Sequence, residues 1–197
     1  MPTASDVEVL LGDFERLARA EGLRWYLFGA QAVVLHGRPR LTEDVDITLE
    51  IARPSLPDFV RRASEAGFEL RVQEDPEGFV EATSVLPMRH SPTGLDLDVV
   101  LAGSGLEGQF LDRATVSRMG SARVPVIDAS DLVVAKILAG RAKDLDDADG
   151  IVACQGDALD LARIRALLRE LQEALSISDL LPAFDRCLVR GRRAPGG

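Results

Sequence analysis

The stretch Phe28–Glu50, FGAQAVVLHGRPRLTEDVDITLE, changes its periodicity twice. Just ahead of it, Trp25-Tyr26-Leu27-Phe28 forms an aromatic-rich apolar run between Gly22 and Gly29, and such a run predicts a buried strand. Gly29 breaks that run. Residues 30–35, AQAVVL, restart as a compact helix ending at Gly37. From Asp44 the residues alternate, with Asp44, Asp46, Thr48 and Glu50 on one face and Val45, Ile47, Leu49 and Ile51 on the other. The stretch therefore predicts a strand, a glycine turn, a helix and a second strand with one carboxylate-bearing face.

The same alternation returns in residues 95–101, LDLDVVL, where Asp96, Asp98 and Val100 share a face opposite Leu95, Leu97, Val99 and Leu101. Toward the N-terminus, Val7, Leu10, Leu11, Phe14, Leu17 and Ala18 recur at helical intervals over residues 5–20, with Ser5 and Glu8 at capping-box spacing and Gly22 as the stop. Between the two acidic strands, Pro57 opens a helix to Ala66, strand-like pieces are expected at 68–73 and 79–89, and His90–Gly94, HSPTG, is turn chemistry. Beyond residue 102 the pattern predicts a helix over 106–112, paired strands within 115–127, and then helices alone. Ser130 is expected to cap the first of these, DLVVAKILAG, and the others fall at 143–154, 158–175 and 179–190.

The expected fold class is therefore mixed α/β (α+β). A mixed twisted sheet with flanking helices occupies residues 1–127, and a C-terminal helical part, 128–190, packs on that core. Residues 191–197, GRRAPGG, are too rich in Gly and Pro to pack and are expected to be a disordered tail.

At 197 residues, 46% apolar and 28% charged, the chain has the composition of a globular protein with one sizeable core. No run approaches the roughly 18 apolar residues of a membrane span, and MPTASDVEVL has neither a basic start nor an apolar stretch. Cys154 and Cys187 fit neither a disulfide framework nor a zinc spacing, so the cytoplasm is the expected address. A net charge of −9 excludes a protein that coats nucleic acid by charge alone. It suits acidic side chains that converge on a metal.

Asp44 and Asp46 leave one side of a strand, and Asp98 offers a third carboxylate from a strand of like pattern. Converging carboxylates repel one another unless a cation neutralises them. Mg²⁺ (or Mn²⁺) suits such a site, because it takes one or two carboxylates and fills its other positions with water and phosphate oxygens. A helix that starts after a small-residue turn at Gly29 presents free backbone N–H groups to a phosphate. An Asp-x-Asp pair alone also describes a solvated strand face, and Gly29 alone a tight turn. Their close succession points to phosphate and metal in one pocket.

Asp98 stands directly before Val99-Val100-Leu101 and is expected deeper in the sheet than Asp96, which lies nearer the HSPTG turn. Elsewhere, His36 reads as a packed or capping side chain, and Arg38 and Arg40 either pair with Glu43 or approach a nucleotide. Lys136, on a largely apolar helix, either packs its stem with the amine in water or reaches a phosphate. Asp144 and Asp147 share the i, i+3 face that would point inward. Arg190, Arg192 and Arg193 read as a solubilising end or a weak RNA contact.

Phe28-Gly29-Ala30, the spacer 31–43 and Asp44-Val45-Asp46 together resemble the signature of the DNA polymerase β type of nucleotidyltransferase. More narrowly, the Gly, small residue, Ala, His-Gly and Arg-x-Thr-x-Asp-x-Asp arrangement of 28–50 is similar to the minimal branch that includes the AbiEii-type toxins of bacterial toxin–antitoxin systems. Residues 136–147, KILAGRAKDLDD, resemble that branch's Lys…Arg…Asp-x-x-Asp helical motif.

The resemblance implies an enzyme, a nucleotidyltransferase, that moves a nucleoside monophosphate from a nucleoside triphosphate to an acceptor hydroxyl. Asp44, Asp46 and Asp98 would hold metal, with Asp98 on the base side, and Lys136 would join them in catalysis. Gly29, Ala30, Arg40, Thr42, Lys136, Arg141, Asp144 and Asp147 would bind the nucleotide. Ala30 departs from the serine common in the family, so phosphate binding must lean on backbone N–H groups and cations. The acceptor implied is a tRNA end or other RNA, and a cognate antitoxin is the implied protein partner. The alternatives are a small-molecule, antibiotic-type nucleotidyltransferase, or a non-catalytic nucleotide- or partner-binding module of the same fold.

Overall fold

The computed structural model of the chain describes residues 4–38, 44–103 and 105–193. The chain divides into two compact units, Met1–Gln31 with Leu41–Ile127, and Ala32–Arg40 with Asp128–Gly197.

The first unit holds the strands β1 (Arg24–Phe28), β2 (Asp44–Glu50), β3 (Phe68–Leu70), β4 (Val85–His90), β5 (Leu95–Leu101), β6 (Thr115–Met119) and β7 (Ala122–Val126). Among the described residues these form one mixed sheet in the order β3-β4-β5-β2-β1-β7-β6. The pairs β2–β5 and β1–β7 are parallel and the other neighbours antiparallel. Within the strands the residues that the alternation sends to the apolar face are buried, including Val45, Ile47, Leu49, Leu97 and Val99, while Ile51, past the end of β2, is half-buried. Helix α1 (Ala4–Ala20) covers that face with Leu10, Leu11, Phe14 and Ala18, and the Phe14 ring meets Trp25 and Phe68 edge-on at 5.0 and 5.8 Å. Each such buried large apolar side chain contributes about 1.5–3 kcal/mol.

Helix α2 (Gly29–Leu35) follows β1 directly. Helix α3 (Leu56–Glu65) has Pro57 in its first turn and buries Phe59 and Ala63. Helix α4 (Pro76–Thr83) occupies part of the segment expected to be strand over 79–89. Asp75 accepts a hydrogen bond from the Gly78 N–H at 3.0 Å, and Pro76 at the first helical position pre-sets φ, so capping chemistry outweighs the two apolar residues Phe79 and Val80. The strand expected over 68–73 is likewise shorter, ending at Leu70. Helix α5 (Leu106–Arg113) brings Phe110 to Tyr26 at 6.4 Å. Because α1 begins at Ala4, Ser5 lies inside the helix rather than ahead of it.

The second unit is helical from Asp128 onward: α6 (Ala129–Ala139), α7 (Ala142–Gln155), α8 (Leu161–Leu175) and α9 (Leu180–Arg193). Helix α7 packs on α6 and α9, and α8 also packs on both. Leu132, Ile137, Ile151, Ile164, Leu168 and Phe184 are buried there. The cap of α6 is Asp128 and not Ser130: the Asp128 carboxylate accepts the Ser130 N–H at 2.9 Å, and the Ser130 hydroxyl accepts from the Asp160 N–H at 3.1 Å. Helix α9 continues to Arg193, so residues 191–193 are helical where a disordered tail was expected, and 194–197 lie outside the described residues. No described helix is long and apolar enough to cross a membrane.

Candidate active site

The parallel register of β2 and β5 sets Asp44 level with Asp96 and Asp46 level with Asp98. Two residues of separation keep each pair on one face, so four carboxylates form a block at one end of the strands. The neighbouring strands add Phe28 level with Asp46, Pro87 level with Asp98 and Arg89 level with Asp96.

Gly29 ends β1 beside this block with φ +65°, a conformation that costs side-chain-bearing residues roughly 1 kcal/mol or more. A methyl group built on Gly29 would overlap the Asp46 carboxylate. Ala30 is buried and opens α2 with Gly29. Arg40 and Thr42 lie outside the described residues. Arg38 is half-buried with its stem laid against Gly150 of α7, and the His36 carbonyl accepts a hydrogen bond from Gln155 Nε2 at 2.9 Å.

Asp44 is exposed, while Asp46, Asp96 and Asp98 are half-buried. The expected difference in depth between Asp96 and Asp98 is absent: their side chains are 29% and 36% exposed, because adjacent residues of one face in the same strand meet similar cover. Their partners differ. Arg71, immediately after β3, donates from Nη2 to Asp98 Oδ1 and places Nη1 3.4 Å from Asp96 Oδ2. Arg89 lies 3.6 Å from Asp96 Oδ1, beyond hydrogen-bond reach, and that buried oxygen accepts no hydrogen bond from the described residues. Burial pushes the Asp98 carboxyl above its ordinary value; Arg71 pulls it down, and Asp44 and Asp96 push it up again.

Sequence reasoning missed Arg71. It sits in Phe68-Glu69-Leu70-Arg71, where only strand pairing carries it to the acidic face, and no local pattern marks that.

A hard, oxygen-only donor set is what Mg²⁺ or Mn²⁺ prefers, and Mg²⁺ takes one or two protein carboxylates. Among the described residues no group of three or more His, Cys, Asp or Glu is arranged to hold a metal ion. Asp44 and Asp46 still meet the smaller demand, two carboxylates on one strand face.

In the second unit, Lys136 Nζ lies 3.1 Å from Asp144 Oδ1 and 3.0 Å from Asp147 Oδ2. The three side chains are 10%, 1% and 4% exposed, so the amine is buried between carboxylates instead of reaching water. Arg141 closes the group with Nε 2.5 Å from Asp144 Oδ2. Burial opposes ionisation of Asp144, but the hydrogen bonds from Arg141 and Lys136 outweigh it and hold the carboxyl below its ordinary value. Asp146, on the other side of α7, is exposed.

The mixed sheet with its flanking helices is consistent with the nucleotidyltransferase fold, which the following structural likenesses support. Solved structures with this fold resemble the chain over most of its length. The antibiotic-resistance factor ANT(2'')-Ia in solution has TM-score 0.57 and 13% identity, covering 89% of this chain and 97% of that one. An antigenic nucleotidyltransferase-like protein from Paracoccidioides brasiliensis has TM-score 0.55 and 16% identity, covering 93% and 95%. The lincosamide antibiotic adenylyltransferase LnuA, bound to lincomycin, has TM-score 0.50 and 17% identity, covering 76% and 96%. No family model and no curated protein matches the sequence.

Proposed function

We propose that the chain transfers a nucleoside monophosphate from a nucleoside triphosphate to an acceptor hydroxyl. The observation that carries this reading is the parallel register of β2 and β5, which sets Asp44 and Asp46 beside Asp98 with Gly29 packed against Asp46. Asp44 and Asp46 hold Mg²⁺ or Mn²⁺, which when bound offsets the charge of the phosphates. The backbone at Gly29 and Ala30, with no bulk at Gly29, lets the triphosphate approach. Asp98 accepts the proton of the acceptor hydroxyl as its oxygen bonds to the α-phosphorus and the bond to pyrophosphate breaks. Positioning and electrostatics carry such a transfer, since little covalent help is needed from the protein. The nucleotide-binding roles of Arg40, Thr42, Lys136, Arg141, Asp144 and Asp147 rest on the motif resemblance alone, as does a metal-binding role for Asp98.

For the acceptor, the AbiEii-like motifs favour an RNA end, and with it a toxin role and an antitoxin partner. The antibiotic adenylyltransferases of the same fold favour a small hydroxylated molecule as a second reading. One experiment separates them. The protein is incubated with each α-³²P nucleoside triphosphate and Mg²⁺, in parallel with total RNA, with cell lysate and with lincomycin. Label in RNA supports the first reading and label in lincomycin the second. Absence of both labelled product and pyrophosphate in every arm rejects transfer.

A further inference from the structure

The sheet face opposite the acidic block carries a cavity of about 810 Å³. Leu86 stands level with Val99 and Leu70 with Met88, so both belong to the apolar layer, whereas their neighbours Pro87 and Arg71 lie on the acidic side. Val60 of α3 and Val80 of α4 complete an aliphatic wall with Leu70 and Leu86. Of the residues of α4, Val80 alone is buried, so the helix roofs the cavity rather than filling it. Pro54, Pro57 and Pro76 line the same space, and their fixed φ angles stiffen the turn Arg53–Ser55 and the starts of α3 and α4 that bound it. Two carboxylates stand at the rim. Glu77 and Glu81, four residues apart on α4, both line the cavity and are both exposed. Like charges at that spacing repel, and neither side chain takes an ion pair or a hydrogen bond among the described residues. Arg53, which also lines the cavity, is already engaged: Nη1 donates to the Val80 carbonyl at 3.3 Å and Nη2 to Ser84 Oγ at 3.0 Å.

We infer that this cavity binds a small amphiphilic amine, its apolar body against the aliphatic wall and its ammonium between Glu77 and Glu81. A concave, mostly apolar space with a few polar groups at one side is the usual form of a small-molecule site. The apolar wall supplies the driving force for the body of the ligand. The unpaired carboxylates select its charge, since a cation between them replaces repulsion with attraction. The site lies across the sheet from Asp44, Asp46 and Asp98, so it is a second site, and its occupancy does not depend on nucleotidyl transfer.

The test is fluorescence titration of the full chain, without nucleotide or metal, with three dansyl probes: dansylcadaverine, which ends in an ammonium, its neutral N-pentyl counterpart, and dansyl-aminohexanoate. Dansyl emission rises and shifts to the blue when the ring is buried in an apolar site. The wild type is expected to bind the amine about fivefold or more tighter than the neutral probe, and the carboxylate most weakly. Glu77→Gln with Glu81→Gln, two changes of exposed side chains, should bring the amine and the neutral probe within about twofold of each other. Asp157→Asn with Glu173→Gln lowers the net charge equally in the second unit and should leave the preference intact. If it abolishes the preference as fully, the chain's overall charge is the cause and the assignment falls. Val60→Trp, which fills the cavity, should weaken the amine and the neutral probe about tenfold or more, and undiminished binding would place the ring elsewhere and overturn the site. Should Val60→Trp fail to fold by circular dichroism, Leu56→Trp takes its place with the same outcomes. No emission change in the wild type at millimolar probe, equal affinity for the amine and the neutral probe, or a preference that survives Glu77→Gln with Glu81→Gln each overturns the inference.

Discussion

Gly29 and Asp46 share a space that admits only one of their side chains: a Cβ on the glycine would stand where the carboxylate is. The strand that carries the acidic pair and the turn that precedes α2 are therefore fitted to each other.

Gly29→Ala is expected to lower stability by about 1–2 kcal/mol from its left-handed backbone alone, with a further loss from displacing Asp46. Chemical denaturation of the single variant and of Gly29→Ala in an Asp46→Ala background separates the two parts. The penalty should shrink in the double variant. An undiminished penalty would assign the whole effect to backbone strain and refute the steric coupling.

Asp98→Asn is expected to slow transfer by roughly 10² to 10³, the usual cost of one preorganised electrostatic contact, and Asp96→Asn by less than tenfold. Both are measured at saturating Mg²⁺ with the acceptor that takes label. The reverse order of effects would move the proton-accepting role to Asp96.

Removing Lys136 leaves Asp144 and Asp147 buried with less positive charge between them. Breaking a buried ion pair from one side costs about 3–5 kcal/mol, so Lys136→Met should unfold at markedly lower urea concentration. Lys136→Met with Asp147→Asn should recover part of the loss. If the single variant is as stable as the wild type, the buried triad is not the support of α6 and α7 that its geometry implies.

His90 is fully buried, with Nε2 3.1 Å from Asp13 Oδ2, Nδ1 2.9 Å from Thr93 Oγ1 and its ring 4.6 Å from that of Phe68. Burial lowers its pKa, and Asp13 only partly opposes the shift. The unfolded chain then binds the proton more readily than the folded one. Stability should rise with pH up to an unfolded value of about 6.5 and fall as the pH drops below it, by at most about 1.4 kcal/mol per unit for one proton. Urea midpoints at pH 7.5, 6.5 and 5.5 measure the slope. His90→Gln should flatten it, and parallel slopes in the two proteins would place the dependence elsewhere.

What could be read from the sequence was what local periodicity decides. The run Trp25–Phe28, the break at Gly29 and the alternation from Asp44 and from Leu95 each fix an element and its two faces. The partners of those faces depend on chain segments far apart. The parallel pairing that sets Asp46 beside Asp98 joins residues separated by half a hundred positions, and Arg71 arrives from just beyond the end of β3. Helix α4 escaped for a different reason: Asp75 and Pro76 start it with so little amphipathic pattern that Phe79 and Val80 resembled a strand. The sequence places Lys136 on its helix, but two inward carboxylates from the start of the next helix, α7, decide that its amine is buried.

The alternation in β2 and β5 also polices assembly. A slip of one residue between these strands and the rest of the sheet would turn Asp44, Asp46, Asp96 and Asp98 into the layer now filled by Val45, Ile47, Leu97 and Val99, all wholly shielded from water. Burying even one unpaired carboxylate there costs more than a domain's whole margin of stability. Misregistered chains are thus rejected by the same residues that the proposed chemistry needs, and a substitution such as Asp46→Val would relax the chain's proofreading as well as its site.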